Sequence, residues 1–138
     1  MDYTSLFEPV RFLQAVCLAF LSILFLQSGL DQVLNYTGNL DWLYGHFSES
    51  PLKGSVRIML PAITVLEVAA GAVSLLGLCV LILKGSPSIG FRGAQIATLS
   101  ILALFFGQRL AQDYDGAATL VIYFIVCLLS LYALGVLE

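Results

Sequence analysis

The sequence predicts an all-α fold, an integral membrane antiparallel four-helix bundle with a short amphipathic segment between helices one and two. Of the 138 residues, 59% are hydrophobic and 11% are charged, whereas about a quarter of the residues in soluble domains are charged. The mean hydropathy is +0.96. Four apolar runs are each long enough to cross a hydrocarbon layer about 30 Å thick. We therefore expect one four-span membrane domain over residues 1–138.

Helix-breaking residues separate the four spans. We expect the spans near residues 10–31, 56–84, 91–112 and 116–137. Pro51 and Gly54 precede the second span. The turn from Lys84 to Ser88 follows it, and Asp113-Tyr114-Asp115-Gly116 precedes the fourth. Asp115 is expected to cap the fourth helix, because its carboxylate can accept a bond from an unpaired amide of the first turn. The short connections require neighbouring helices to run antiparallel.

The longest stretch outside the spans is the segment from Asp31 to Ser50. Its apolar residues recur at helical spacing, and they are Leu40, Leu43, Tyr44 and Phe47, with Trp42 beside them. This pattern predicts a short amphipathic helix. The helix either lies at the membrane surface, where aromatic rings favour the interface, or folds back as a cap over the bundle.

Charge decides the expected orientation of the bundle. With the N-terminus inside, three basic residues fall on each side of the membrane, so the positive-inside count ties. The tight loop with Lys84 and Arg92 contains no acidic residue, whereas the loops on the other side contain five. We therefore expect both termini in the cytoplasm.

Several classes of chemistry lack the residues they need. Cys17, Cys79 and Cys127 lie far apart within apolar runs, so neither a thiol-redox motif nor a zinc site is present. His46 is the only histidine, and a transmembrane haem with two axial histidines needs a second. The net charge is −3, and the six basic residues are scattered. Nucleic acid is therefore not expected as a partner, and no metal or cofactor is expected to bind to this chain alone.

Glu67 lies well inside the second span. A carboxyl group in hydrocarbon is costly unless it is protonated, paired or turned toward a wet interior, so such a residue is a candidate functional group. Thr64, Gly71 and Ser74 fall on the same helical face, which predicts that Glu67 points into the bundle. It is then either a functional carboxyl or a protonated group that makes one interhelical hydrogen bond. The small residues Ala70, Gly71 and Ser74 indicate either a homodimer seam or, as we favour, packing within the bundle.

Alternating helix direction brings most of the polar residues to one end of the bundle. We predict a polar pocket there. Its binding residues are Glu67 at the floor, Arg109 at the rim, and Asp113, Gln27, Asp31 and Gln108; its lid or interface is Trp42, Tyr44 and His46. The alternative is a rim of side chains that reach headgroup water. Arg109 would then extend its guanidinium to the headgroups, whereas in a pocket its five donors suit an anion or a quinone carbonyl.

Two segments carry a resemblance to a known family. They are Phe25-Leu26-Gln27-Ser28-Gly29-Leu30-Asp31-Gln32-Val33 and Leu66-Glu67-Val68-Ala69-Ala70-Gly71-Ala72-Val73-Ser74-Leu75-Leu76-Gly77-Leu78. Together they resemble the DoxX-like family of bacterial membrane proteins, with matching positions at Arg11, Ser28, Gly29, Glu67, Gly71 and Gly77. A lysine often follows the Ser-Gly pattern in that family, and Asp31 and Gln32 stand in its place here.

The resemblance implies a four-helix protein of the bacterial inner membrane. Some members of the family are subunits of a thiosulfate:quinone oxidoreductase, and others are linked to redox stress. We therefore expect an accessory subunit of a larger, quinone-linked respiratory or redox membrane complex, in contact with the lipid bilayer, other membrane subunits and a quinone or lipid.

The sequence suggests two alternative functions. The first is a small proton-coupled, homo-oligomeric transporter that uses Glu67. The second, an enzyme acting alone on a quinone or thiosulfate, is disfavoured because no nucleophile with a neighbouring base is visible. We expect no catalytic residue and no independent catalytic activity.

Overall fold

The described part of the chain folds into four long helices and one short one. The computed structural model describes residues 8–46 and 56–137, without the side chains of residues 36, 37, 39, 43, 46, 56 and 57. The helices are α1 Pro9–Leu34, α2 Tyr36–His46, α3 Val56–Lys84, α4 Ser88–Leu110 and α5 Tyr114–Leu131, and a π-helical turn, Tyr132–Val136, follows α5. No strand occurs in these two ranges. The predicted all-α, four-helix membrane fold is confirmed.

Four helices are long and apolar enough to cross a membrane. They are Pro9–Leu34, Ile58–Lys84, Ser88–Leu110 and Tyr114–Val136, with mean hydropathies of 2.0, 2.4, 1.6 and 2.4. The shortest have 23 residues and are therefore about 34 Å long, enough for a hydrocarbon layer of about 30 Å. Large apolar side chains such as Ile58, Ile122 and Val136 are exposed on the outside of the bundle, as expected where helices contact lipid. The chain is a multi-pass membrane protein.

Most helix ends agree with the sequence-based expectation to within three residues, but the predicted cap of the last helix is wrong. Asp113, not Asp115, is the N-cap of α5, and its Oδ1 accepts a hydrogen bond of 3.0 Å from the amide of Gly116. A capping side chain bonds an amide two or three residues further on. Asp115 already lies within the first helical turn, where its charge acts only through the helix dipole.

Helix α3 lies between α1 and α4, and α4 in turn packs against α5. Glycines permit the close contacts on both sides of α3. A Cβ atom on Gly71 would lie 2.7 Å from the backbone nitrogen of Leu26 in α1. A Cβ atom on Gly77 would overlap the backbone of Gly90 in α4, so there is no room for a side chain at Gly77. Leu18, Leu21, Phe25, Ala94, Ala97 and Cys127 form part of the buried core between the helices.

The small-residue face of α3 is used inside the bundle. Ala70 and Ser74 are fully buried, and Gly71 contacts Leu26. A Cβ atom on Gly93 of α4 would lie 2.7 Å from the hydroxyl oxygen of Ser74. This face therefore packs α3 against α1 and α4 and leaves no homodimer seam on these residues.

Candidate functional site

A network of four polar side chains joins α1 to α3, and we call it the Glu67 network. Ser28 Oγ donates a hydrogen bond of 2.8 Å to Oε2 of Glu67, and Gln32 Nε2 donates one of 2.6 Å to the same oxygen. The hydroxyl of Thr64 lies 2.6 Å from Oε1 of Gln32 and 2.7 Å from the carbonyl oxygen of Leu60. A hydroxyl has one proton, so Thr64 serves one of these two acceptors at a time.

The helical repeat explains why these four side chains meet. Ser28 and Gln32 are four residues apart on α1, and Thr64 and Glu67 are three apart on α3, so each pair lies on one face of its helix. Close packing brings the two faces together. A Cβ atom on Gly29 would lie 2.7 Å from Cγ2 of Val68. The short serine side chain can reach Oε2 because the two helices approach this closely.

The two oxygens of the Glu67 carboxyl are in different situations. The Glu67 side chain is 3% exposed and that of Thr64 is 8% exposed, so the network is inside the bundle. Among the described residues, both hydrogen bonds to the carboxyl are made to Oε2, and Oε1 receives none. In the described residues, the fully enclosed polar side-chain atoms without a hydrogen-bond partner are the hydroxyl oxygens of Ser74 and Ser100. Oε1 of Glu67 is not one of them. One carboxyl oxygen is therefore held in place, and the other accepts no hydrogen bond from the described residues.

The depth of Glu67 follows from helix geometry. Glu67 is seventeen residues from Lys84 along α3, and Arg109 is seventeen from Arg92 along α4. At 1.5 Å per residue each separation is about 25 Å, slightly less than the thickness of the hydrocarbon, about 30 Å. Lys84 ends α3 and Arg92 lies near the start of α4, where long basic side chains reach the polar boundary. We therefore expect Glu67 and Arg109 near the opposite boundary.

Arg109 has a different set of neighbours at this depth. Its guanidinium carbon lies 4.6 Å above the centre of the Tyr114 ring, a cation–π contact between α4 and α5. Asp113 caps α5 and also donates its backbone amide to the carbonyl oxygen of Gln108, at 3.0 Å. A Cβ atom on Gly116 would meet both Oδ2 of Asp113 and Nε2 of Gln108, so these two side chains lie together at the α4–α5 connection.

The other predicted site residues lie on α1 and α2. Gln27 and Asp31 are exposed on α1, and Glu67 accepts its hydrogen bonds from Ser28 and Gln32 instead. On α2, which contacts the ends of α1 and α3, Trp42 is 59% exposed and Tyr44 is half-buried. The side chain of His46 lies outside the described part of the structure.

The nine predicted residues thus fall into separate groups. The contacts of Glu67 join α1 to α3, whereas the contact of Arg109 joins α4 to α5. A single pocket with Glu67 at its floor and Arg109 at its rim stays a prediction. Sequence reasoning did not place Gln32 and Thr64 in the site. The pattern that could have indicated Gln32 is its spacing of four residues from Ser28, which places both side chains on one face of α1.

Clefts also lie elsewhere on the bundle. Within residues 8–46 and 56–137, no three His, Cys, Asp or Glu side chains come together as a metal site would require. A groove of about 390 Å³ lies at the opposite end of the bundle, between the start of α4 and the π-helical turn. A smaller apolar cleft of about 170 Å³ lies between α4 and α5, lined by Leu102, Phe105, Val121 and Phe124.

Comparisons with family models, with curated protein sequences and with solved structures found no match for this chain. The similarity to the DoxX-like family therefore stays a resemblance, based on the two segments of α1 and α3 that contain Ser28 and Glu67.

Proposed function

We propose that this chain is an accessory subunit of a larger, quinone-linked complex in the bacterial inner membrane, and that it presents the Glu67 carboxyl to that complex. The observation that supports the proposal is the asymmetry of this carboxyl. Oε2 is held by Ser28 and Gln32, and Oε1 has no partner among the described residues. A carboxyl group held in this way has a defined direction in which it can bind one more polar group.

The chemistry of that open oxygen suits a quinone headgroup. An ionised carboxylate accepts a hydrogen bond from a quinol hydroxyl, and a protonated carboxyl donates one to a quinone carbonyl. Glu67 lies inside the apolar layer but near its edge, about 25 Å from the level of Lys84. A polar group of a membrane-soluble molecule can reach this depth without leaving the bilayer.

The packing around the Glu67 network favours a carboxyl group that stays in place over one that moves with a sliding helix. Gly29 against Val68 and Gly71 against Leu26 keep α1 and α3 in close contact next to the carboxyl. Sliding these helices past each other would break the bonds from Ser28 and Gln32. A subunit that holds one group in place for a partner is consistent with this arrangement, and so is the similarity to a family that includes subunits of a quinone oxidoreductase.

Purification of a tagged chain from its own membranes in mild detergent tests the proposal. We expect stoichiometric membrane partners and extractable quinone in the purified complex. In a Glu67→Gln variant, which keeps the shape of the side chain, we expect the same partners with less quinone. A wild-type chain that runs alone, without partners, would overturn the proposal.

The second candidate is a proton-coupled, homo-oligomeric transporter, and the same open oxygen favours it. A carboxyl inside a span with one unengaged oxygen can take up and release a proton. Proton-coupled flux in proteoliposomes that contain only this chain, and its loss in Glu67→Gln, would support this function. If no flux occurs, or if flux survives the substitution, the transporter hypothesis fails.

A further inference from the structure

The groove at the end of the bundle opposite Glu67 has apolar walls and a basic mouth. It lies between the first turn of α4 and the π-helical turn after α5, and it has a volume of about 390 Å³. Its lining residues are Pro87, Ser88, Phe91, Arg92, Leu134, Gly135 and Val136. Phe91 and Leu134 form part of its apolar wall, and Arg92 is exposed. The groove therefore joins an apolar surface to a cation.

The π-helical turn shapes one wall of this groove. The amide of Leu137 donates to the carbonyl oxygen of Tyr132, five residues earlier, at 3.1 Å, so the last turn is wider than an α-helical turn. Gly135 places bare backbone against Phe91, because a Cβ atom there would lie 2.6 Å from Cε2 of the ring. The turn is held from α1 by the fully buried Gln14, whose Nε2 donates to the carbonyl oxygen of Ala133 at 2.8 Å. The groove is thus part of the packed fold.

Among the described residues, the charge at this end of the bundle is mainly positive. Arg11, Lys84 and Arg92 all lie here, and Glu8 is the only acidic residue at this end within the described ranges. A Cβ atom on Gly85, in the α3–α4 turn, would lie 4.0 Å from Nη2 of Arg11, which places this guanidinium beside the turn. Arg92 donates to Oε1 of Gln95 at 3.0 Å, a bond that leaves further guanidinium donors. An anionic group in the groove would meet the charge of Arg92, and Arg11 and Lys84 add positive charge at the same end of the bundle.

We propose that this groove binds one anionic phospholipid, with an acyl chain against Phe91, Leu134 and Val136 and the phosphate at Arg92. The occupant follows from the charge and the position of the groove. Basic pockets between helices at the membrane boundary attract anionic headgroups, and a groove that opens at this boundary meets headgroup and chain together. The inference is independent of the proposed function, because it involves neither Glu67 nor a partner subunit.

Native mass spectrometry of the full chain tests this proposal, with phosphatidylglycerol and phosphatidylcholine of the same chain length as competing probes. We expect the wild-type protein to retain one phosphatidylglycerol in preference to phosphatidylcholine. Arg92→Gln should lower this preference about fivefold, the effect expected from one basic residue near a headgroup. Arg92→Lys should keep most of it.

Two further variants separate the groove from general surface charge. Val136→Trp should fill the groove and lower the retention of phosphatidylglycerol without changing any charge. Arg109→Gln removes a basic residue from the other end of the bundle and should leave retention unchanged. Equal retention of the two lipids by the wild-type chain would overturn the proposal. So would a preference that persists in both Arg92→Gln and Val136→Trp while the two variants remain folded by circular dichroism.

Discussion

Ser28 of α1 and Glu67 of α3 are 39 residues apart in the chain and are joined by a hydrogen bond of 2.8 Å from the serine hydroxyl to Oε2. The bond lies inside the bundle, where the carboxyl is 3% exposed. This single polar contact helps to fix the alignment of α1 with α3.

The stability lost when Glu67 is replaced should depend on whether the new side chain still offers a hydrogen-bond acceptor to Ser28 and Gln32. Glu67→Ala leaves Ser28 and Gln32 without their shared acceptor, and unmatched buried donors cost about 1–3 kcal/mol. Glu67→Gln keeps one carbonyl oxygen in place and should cost less than half as much. Unfolding by SDS in mixed micelles measures both free energies. Equal losses in the two variants would indicate that the hydrogen bonds contribute nothing measurable.

The contact between α1 and α3 should be intolerant of even one added methyl group. In Gly71→Ala the new Cβ atom would lie 2.7 Å from the backbone nitrogen of Leu26, and overpacking of this kind costs about 1–3 kcal/mol. Gly45→Ala is the matched control, because a Cβ atom there meets nothing within 4 Å. We expect the same SDS titration to show a loss for Gly71→Ala and none for Gly45→Ala. A stable Gly71→Ala variant would contradict the close packing of these helices.

The start of α5 offers a comparison of two neighbouring aspartates. Asp113→Ala removes the side chain that accepts the hydrogen bond from the amide of Gly116, and the loss of an N-cap costs about 1 kcal/mol. Asp115→Ala changes a charge of the first turn only and should cost less. Asp113→Ser, which retains a capping oxygen, should restore most of the stability. A larger loss in Asp115→Ala than in Asp113→Ala would reverse the assignment of the cap.

Orientation in the membrane can be tested with two engineered cysteines. With both termini in the cytoplasm, the α3–α4 turn also faces the cytoplasm, and the α4–α5 connection faces outward. A membrane-impermeant maleimide applied to intact cells should then label Asp115→Cys and should not label Ser86→Cys. Inverted vesicles should give the opposite result. The unmodified chain, whose three cysteines lie within α1, α3 and α5, provides the background, and labelling of Ser86→Cys on intact cells would mean that the orientation is reversed.

The sequence alone was sufficient for the class of fold and for the approximate helix ends. Apolar runs longer than the hydrocarbon thickness leave few other structures, because the backbone must bond to itself inside lipid. The inward direction of Glu67 also followed from the sequence, since Thr64 and Ser74 share its helical face, and all three are buried.

Tertiary structure decided which polar groups meet. Alternating helix direction predicted that Ser28 and Glu67 lie at the same end of the bundle, but their contact depends on how α1 and α3 are rotated and how closely they approach. Gly29 and Gly71 set that approach through packing against Val68 and Leu26. Such packing sums many weak contacts between residues far apart in the chain, so a linear pattern does not contain it. The same reason explains why the groove beside Arg92 and the π-helical turn became visible only in the folded bundle.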